Sequence, residues 1–243
     1  MTLTKLPDYN GIYFSQLPIS IQRYITNQDF RVIVVNSANE ELRKDIFERI
    51  NTTSEKLSDA EIRKGSYSGS FYNLVLKLKD DNNFRKICPV SKNKEKRGEY
   101  EELVLRYLTY ADRYLDFKHD VANFLNSYLD EQNESDFDEV SRKNEFNEMV
   151  NFISQYIPNG FRKDENNQSI PRVRFEAISV GATLALRKKK DLANPNLDWL
   201  NSTGFDFHTK SDASNNPNRL KNRIEFVRDG LLGLLSEEQL QNG

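Results

Sequence analysis

Phe47-Glu48-Arg49-Ile50-Asn51-Thr52-Thr53-Ser54-Glu55-Lys56-Leu57-Ser58-Asp59-Ala60-Glu61-Ile62-Arg63-Lys64 is the stretch on which the reading of this 243-residue chain turns. Its first half closes one helical pattern. Leu42, Ile46, Phe47 and Ile50 share a face at i, i+4, i+5 and i+8. Asn39 stands as N-cap, and Glu40 and Glu41 lie in the first turn, where the helix dipole favours acid. Thr52 and Thr53 end that helix. Ser58 and Glu61 then open a second one in the S-x-x-E spacing of a capping box, and Gly65 closes it. Arg49 and Asn51 sit at the corner between the two. As architecture, Phe47 and Ile50 are core, Asn51 is a C-terminal cap and Glu61 only a capping partner. As a site, an arginine fork and an amide suit phosphate oxygens, and the N-terminus of the second helix favours anions.

Outward from this stretch, the run Phe30-Arg31-Val32-Ile33-Val34-Val35 is short and β-branched, and it reads as the one strong strand of the chain. A lone strand is not stable, so its partners must come from elsewhere, from another chain if not from this one. An exposed strand edge also favours pairing between copies, which predicts a homo-oligomer. Before it, Leu17 to Ile25 reads as a short helix entered through Pro18. After it, Ser68 to Lys79 reads as a helix with Phe71, Leu74, Val75 and Leu78 as its stripe. The cation-rich segment Asn82 to Arg97, with Pro89, reads as a break.

From Glu99 the pattern is helical almost to the end. Tyr100, Leu103, Val104, Tyr107, Leu108, Ala111 and Tyr114 line one face. Val121 to Leu129 and Phe146 to Ile157 repeat it, until Pro158-Asn159-Gly160 stops the latter. A polar loop runs from Gly160 to Ser169, and Pro171 precedes a helix ending in Arg187-Lys188-Lys189-Lys190. Asn194 to Asn201 reads as a short helix around Trp199, Pro217 starts the last helix, and the final residues read as frayed. The fold class is mainly α, with residues 1–80 and 81–243 as two parts.

The balance of 35 Lys and Arg against 37 Asp and Glu, a net charge of −2, excludes a globally basic nucleic-acid surface. No apolar run approaches the roughly 20 residues that span a bilayer, so no membrane partner is expected. The single cysteine, Cys88, excludes a disulfide framework and fits a cytoplasmic location. Neither a phosphate-binding G-x-x-x-x-G-K-[ST] loop nor G-x-G-x-x-G occurs. His119 reads as a surface residue. His208, with Asn215 or Asn218, has only a poor match to a His–Asn metal site, and no metal ligands are assigned. The basic run Arg85 to Arg97 and the cluster Arg187 to Lys190 read as solvated cations at loops and helix ends, or as contacts to a nucleic-acid backbone.

Phe47, Arg49, Ile50, Asn51, Leu57, Ser58, Glu61, Ile62 and Arg63 resemble the third motif of the domain-of-unknown-function 262 family. This is the DGQQR-type, ParB-nuclease-like domain of GmrSD-type and Ssp-type defence proteins, with the pattern F-x-R-[IL]-N, a short turn, then L-[SN]-x-x-E-[LI]-R. Thr53 stands where that family often has glycine. Arg97 to Tyr107, Phe124 to Leu129 and Arg174 to Ile178 resemble its later helices. The family's Q-R-x-x-x-W and D-G-Q-Q-R motifs do not occur here, nor does the nuclease domain of its larger members.

The resemblance implies that residues 1–80 are the remnant of a ParB-like α+β domain, one strand plus helices, followed by a helical array. It implies a role in anti-phage or DNA-modification-linked defence. Arg49, Asn51, Glu61 and Arg63 would contribute to a composite nucleotide- or DNA-binding site, with no catalytic residue in this chain. The partners implied are DNA and an upstream fragment carrying D-G-Q-Q-R. No cofactor is assigned to this chain alone; a completed protein would use a nucleoside triphosphate with Mg. The other reading of the same residues is a non-catalytic helical module that binds protein or DNA.

Overall fold

A computed structural model describes residues 7–29, 39, 42, 45–46, 57–167, 169–212 and 214–242. The expected strand Phe30 to Val35, and Arg49 and Asn51 with it, lie outside the described residues. The chain divides into two compact units, Met1–Asn39 and Glu40–Gly243. Among the described residues there are twelve α-helices and no strand, so the protein is mainly helical.

In the first unit, short 3₁₀ turns at Pro7–Tyr9 and Phe14–Gln16 precede α1, Ile19–Thr26, which starts behind Pro18 as its sequence predicts. In the second unit, Leu42, Asp45 and Ile46 are helical. Then come α2 (Asp59–Ser66), α3 (Ser70–Leu78), α4 (Asn82–Ile87), α5 (Lys92–Lys96) and α6 (Glu99–Arg113). They are followed by α7 (Val121–Glu134), α8 (Glu139–Tyr156), α9 (Arg172–Lys188), α10 (Thr203–His208), α11 (Pro217–Leu231) and α12 (Glu237–Asn242).

The helix starts follow from local chemistry. Ser58, Asp81, Ser91, Asp120, Asp138, Ser202 and Asn216 are N-caps, each accepting a backbone N–H of the first turn on its side-chain oxygen. The stop after α8 is equally local. Asn159 and Gly160 both take positive φ, 64° and 59°, and a Cβ on Gly160 would lie 2.6 Å from the Ile87 carbonyl oxygen. That close approach lets the Phe161 N–H reach the same carbonyl at 3.0 Å.

Packing centres on α6 and α9. Helix α6 contacts α2, α3, α5, α7 and α9, while α9 contacts α6, α8 and α11. The expected stripe of α3 is buried in full, and α3 packs against α6, α7 and α8, so helices on both sides of residue 80 share one core. Aromatic edges join the layers: Phe84 meets Phe146 at 5.3 Å, Tyr100 at 6.0 Å and Phe175 at 6.2 Å, all T-shaped.

Three expectations are corrected. The segment Asn82 to Arg97 is not a break; it forms α4 and α5, because Phe84 and Ile87 anchor α4 in the core despite the cations around them. Two apolar residues are too few for a periodic signal. Asp198–Asn201 is a 3₁₀ turn around buried Trp199. The described C-terminal residues, expected to be frayed, form α12 (Glu237–Asn242), which packs on α10, and the Thr203 hydroxyl donates to the Leu240 carbonyl at 3.2 Å.

Helices α9 and α11 share the most extensive helix contact among the described residues, and Gly181 permits their close approach. A Cβ there would lie 2.7 Å from the Val227 Cβ and 2.9 Å from the Ile224 carbonyl oxygen. Gly181→Ala should therefore destabilise. The roughly 1 kcal/mol gained in helix propensity is outweighed by an overpacking cost of about 1–3 kcal/mol. A melting temperature equal to or above that of the parent would show that the two helices separate without cost.

Candidate functional site

The most unusual chemistry of the molecule is internal. Along α6, Glu99, Glu102 and Arg106 fall at i, i+3 and i+7, and on α9 Arg172 and Glu176 fall at i and i+4, so each set shares one face. The two faces meet. Arg63 of α2 donates Nη2 to Glu102 and, at 3.1 Å, Nη1 to the Asn126 amide oxygen. Arg106 donates Nε to Glu102 at 2.8 Å and Nη1 to Glu176 at 2.7 Å. Arg223 of α11 donates Nη2 to the other oxygen of Glu176 at 2.5 Å, and to the Ser214 carbonyl at 3.1 Å.

The result is an alternating ladder, Arg63–Glu102–Arg106–Glu176–Arg223, whose side chains are no more than 10% exposed. Removing these charges from water is costly, and only the paired geometry offsets it. The titration behaviour reflects this balance. Burial pushes the Arg63 guanidinium down to about 10, with Asp59 partly opposing it. Burial, the largest single effect, also works against Arg106, but Glu176 together with Tyr110 and Glu99 outweighs it and holds that guanidinium above its ordinary value.

Two clefts open along the ladder. The first, of about 700 Å³, runs between the start of α2 and the α5–α6 turn, with Lys94, Lys96, Arg97 and Arg172 facing Asp59, Glu99 and Glu102. The capping box forms its edge. One Glu61 carboxylate oxygen accepts the Ser58 N–H at 2.7 Å, the Ser58 hydroxyl at 2.8 Å and Arg97 Nε at 3.3 Å. These bonds, led by the Ser58 N–H, hold the Glu61 carboxyl below its ordinary value. Burial works to raise Glu99, yet Arg172, donating Nε at 2.8 Å and Nη2 at 2.5 Å, keeps it below the usual carboxylate range. The second cleft, of about 580 Å³, lies toward α11 and shares Asp59 and Arg172 with the first.

Of the residues singled out in the sequence, Glu61 stands at the edge of the first cleft with its carboxylate engaged as a capping partner, and Arg63 is turned into the ladder, 2% exposed. His119 is exposed and lines the second cleft. His208 packs on Phe226 at 4.9 Å, where burial and Arg219 lower its pKa. No group of His, Cys, Asp or Glu among the described residues is arranged to hold a metal. Cys88 is buried and its thiol is pushed up by desolvation, an inert setting.

The basic run divides. Arg85 is tied to Glu95 at 2.9 Å and stacks on Tyr100, whereas Lys94, Lys96 and Arg97 face the first cleft. Arg187 is fixed by Glu145 at 2.6 Å. The ladder and the second cleft are not legible in the sequence. Their signal is the spacing of opposite charges on α6 and α9, which looks the same on a solvated helix. Comparison with protein-family models, curated proteins and solved structures finds no match to this chain.

Removing one rung tests the electrostatic account. Glu176→Gln leaves Arg106 and Arg223 facing each other in the interior, and a loss of about 3–5 kcal/mol is expected. Glu139→Gln, which breaks the exposed pair with Lys77 at 2.7 Å, should leave denaturation midpoints within error. Similar midpoints for the two variants would overturn the view that the ladder depends on charge pairing.

Proposed function

We propose that this chain is a non-hydrolysing helical component of a ParB-like defence protein of the domain-of-unknown-function 262 kind, contributing to a composite nucleotide- or DNA-binding site in the cytoplasm. The observation that carries the reading is the place of the first cleft. It opens at Leu57, Ser58 and Asp59, within the stretch from Phe47 to Arg63 that carries the motif, and faces Lys94, Lys96, Arg97 and Arg172. A cation-rich rim beside a helix start suits phosphate oxygens. Arg49 and Asn51 supply the motif's contacts in this reading, and a fragment carrying D-G-Q-Q-R supplies the chemistry, with a Mg-bound nucleoside triphosphate in the completed protein.

A second reading draws on a specific observation. Glu61 and Arg63, two of the four motif residues assigned to binding, are engaged with Ser58, Arg97, Glu102 and Asn126. Such residues fit a motif that is architecture within a non-catalytic interaction module.

Fluorescence anisotropy with labelled duplex DNA and a labelled GTP analogue tests the first reading. On the first reading at least one probe binds saturably, and Lys94→Glu with Lys96→Glu weakens it and, for DNA, lowers the salt slope by about 2. Binding indifferent to that double change sinks the first reading. So does GTP or ATP hydrolysis by the purified chain above background.

A further inference from the structure

The ladder ends differently on its two sides. At the α2 end, Arg63 has Glu102, the Asn126 amide oxygen and the attraction of Asp59. At the α11 end, Arg223 has Glu176 and one backbone carbonyl, and its Nε is buried with no hydrogen-bond partner. A buried, unsatisfied N–H on a charged guanidinium is costly, which makes the α11 end the less satisfied end of the ladder. Arg223 is 3% exposed and lines the second cleft, whose volume of about 580 Å³ leaves room for more than a water molecule.

Two further guanidinium groups line the same cleft with capacity to spare. Arg106 has committed Nε and Nη1, to Glu102 and Glu176, which leaves Nη2 for another acceptor. Arg172 has committed Nε and Nη2 to Glu99, which leaves Nη1. The carboxylates on the wall are largely occupied. Glu176 accepts from two arginines, and Asp120 caps α7, accepting the Asn123 N–H at 3.0 Å and its side-chain amide at 2.7 Å. Asp59 is exposed to solvent.

We infer that the second cleft is a binding site for a small ligand carrying a tetrahedral oxyanion, a phosphate group, held between Arg106, Arg172 and Arg223. Donors come from three helices, α6, α9 and α11. A carboxylate offers two oxygens to three guanidinium groups, whereas a phosphate offers at least three, so the tetrahedral group is the better complement. The site shares Arg172 with the first cleft but not Lys94, Lys96 or Arg97, and it stands whether or not the first cleft binds DNA or nucleotide.

The test is titration of the ¹⁵N-labelled full chain with inorganic phosphate at constant ionic strength, following the assigned Arg223 Nε–H resonance. A saturable shift is expected. Asn215→Asp places a negative charge on an exposed wall position without touching the ladder, and it should weaken the response about fivefold, the effect of roughly 1 kcal/mol between charges in water. Lys94→Glu with Lys96→Glu should leave it unchanged, which separates this site from the first cleft. Acetate, a single carboxylate, should not reproduce the shift. No phosphate-dependent change at Arg223, a response indifferent to Asn215→Asp, or an equal response to acetate would overturn the assignment.

Discussion

Arg106 sits between Glu102 and Glu176, and the second unit is built around that placement. Its guanidinium bonds a carboxylate of its own helix on one side and a carboxylate of α9 on the other. Those carboxylates bind Arg63 of α2 and Arg223 of α11. Four helices are thereby held in one relative register. An apolar interface tolerates small slides, because dispersion and burial are non-directional. A file of buried charges does not, since any shift leaves an ion unpaired in a poorly solvated interior. The aromatic core supplies the bulk of the burial; the ladder selects one arrangement of it.

The same ladder gives the molecule its exposed chemistry. Both clefts have ladder members in their walls, Glu102 in the first and Arg106, Glu176 and Arg223 in the second. Polar groups on rigid helices, locked by their own bonds, are better placed for a ligand than side chains on loops. The capping box contributes in the same way. Ser58 and Glu61 start α2, and through Arg97 they also tie that start to the turn before α6. Local helix chemistry and cleft geometry are here one set of bonds.

Much of the helical architecture was legible in the sequence. The N-cap at Ser58, the stripe Phe71, Leu74, Val75 and Leu78, and the stop at Asn159-Gly160 are local devices, and each stands where it was expected. Helices α4 and α5 were not legible, because a six-residue and a five-residue helix give no period, and α4 owes its place to Phe84 meeting three aromatic rings from elsewhere. The candidate site was the least legible. Arg63 is expected in a nucleotide- or DNA-binding site and is interior; Glu102 and Arg106, which carry no sequence signal of burial, are interior too.

By itself, then, the sequence determined where most helices begin and end and which apolar faces they bury, since capping and 3.6-residue periodicity act over a few residues of chain. Tertiary structure alone decided which charges are inside. The partners in the ladder are up to 70 residues apart, as for Arg106 and Glu176, and whether a charge is solvated or paired depends on what packs over it, not on its neighbours along the chain.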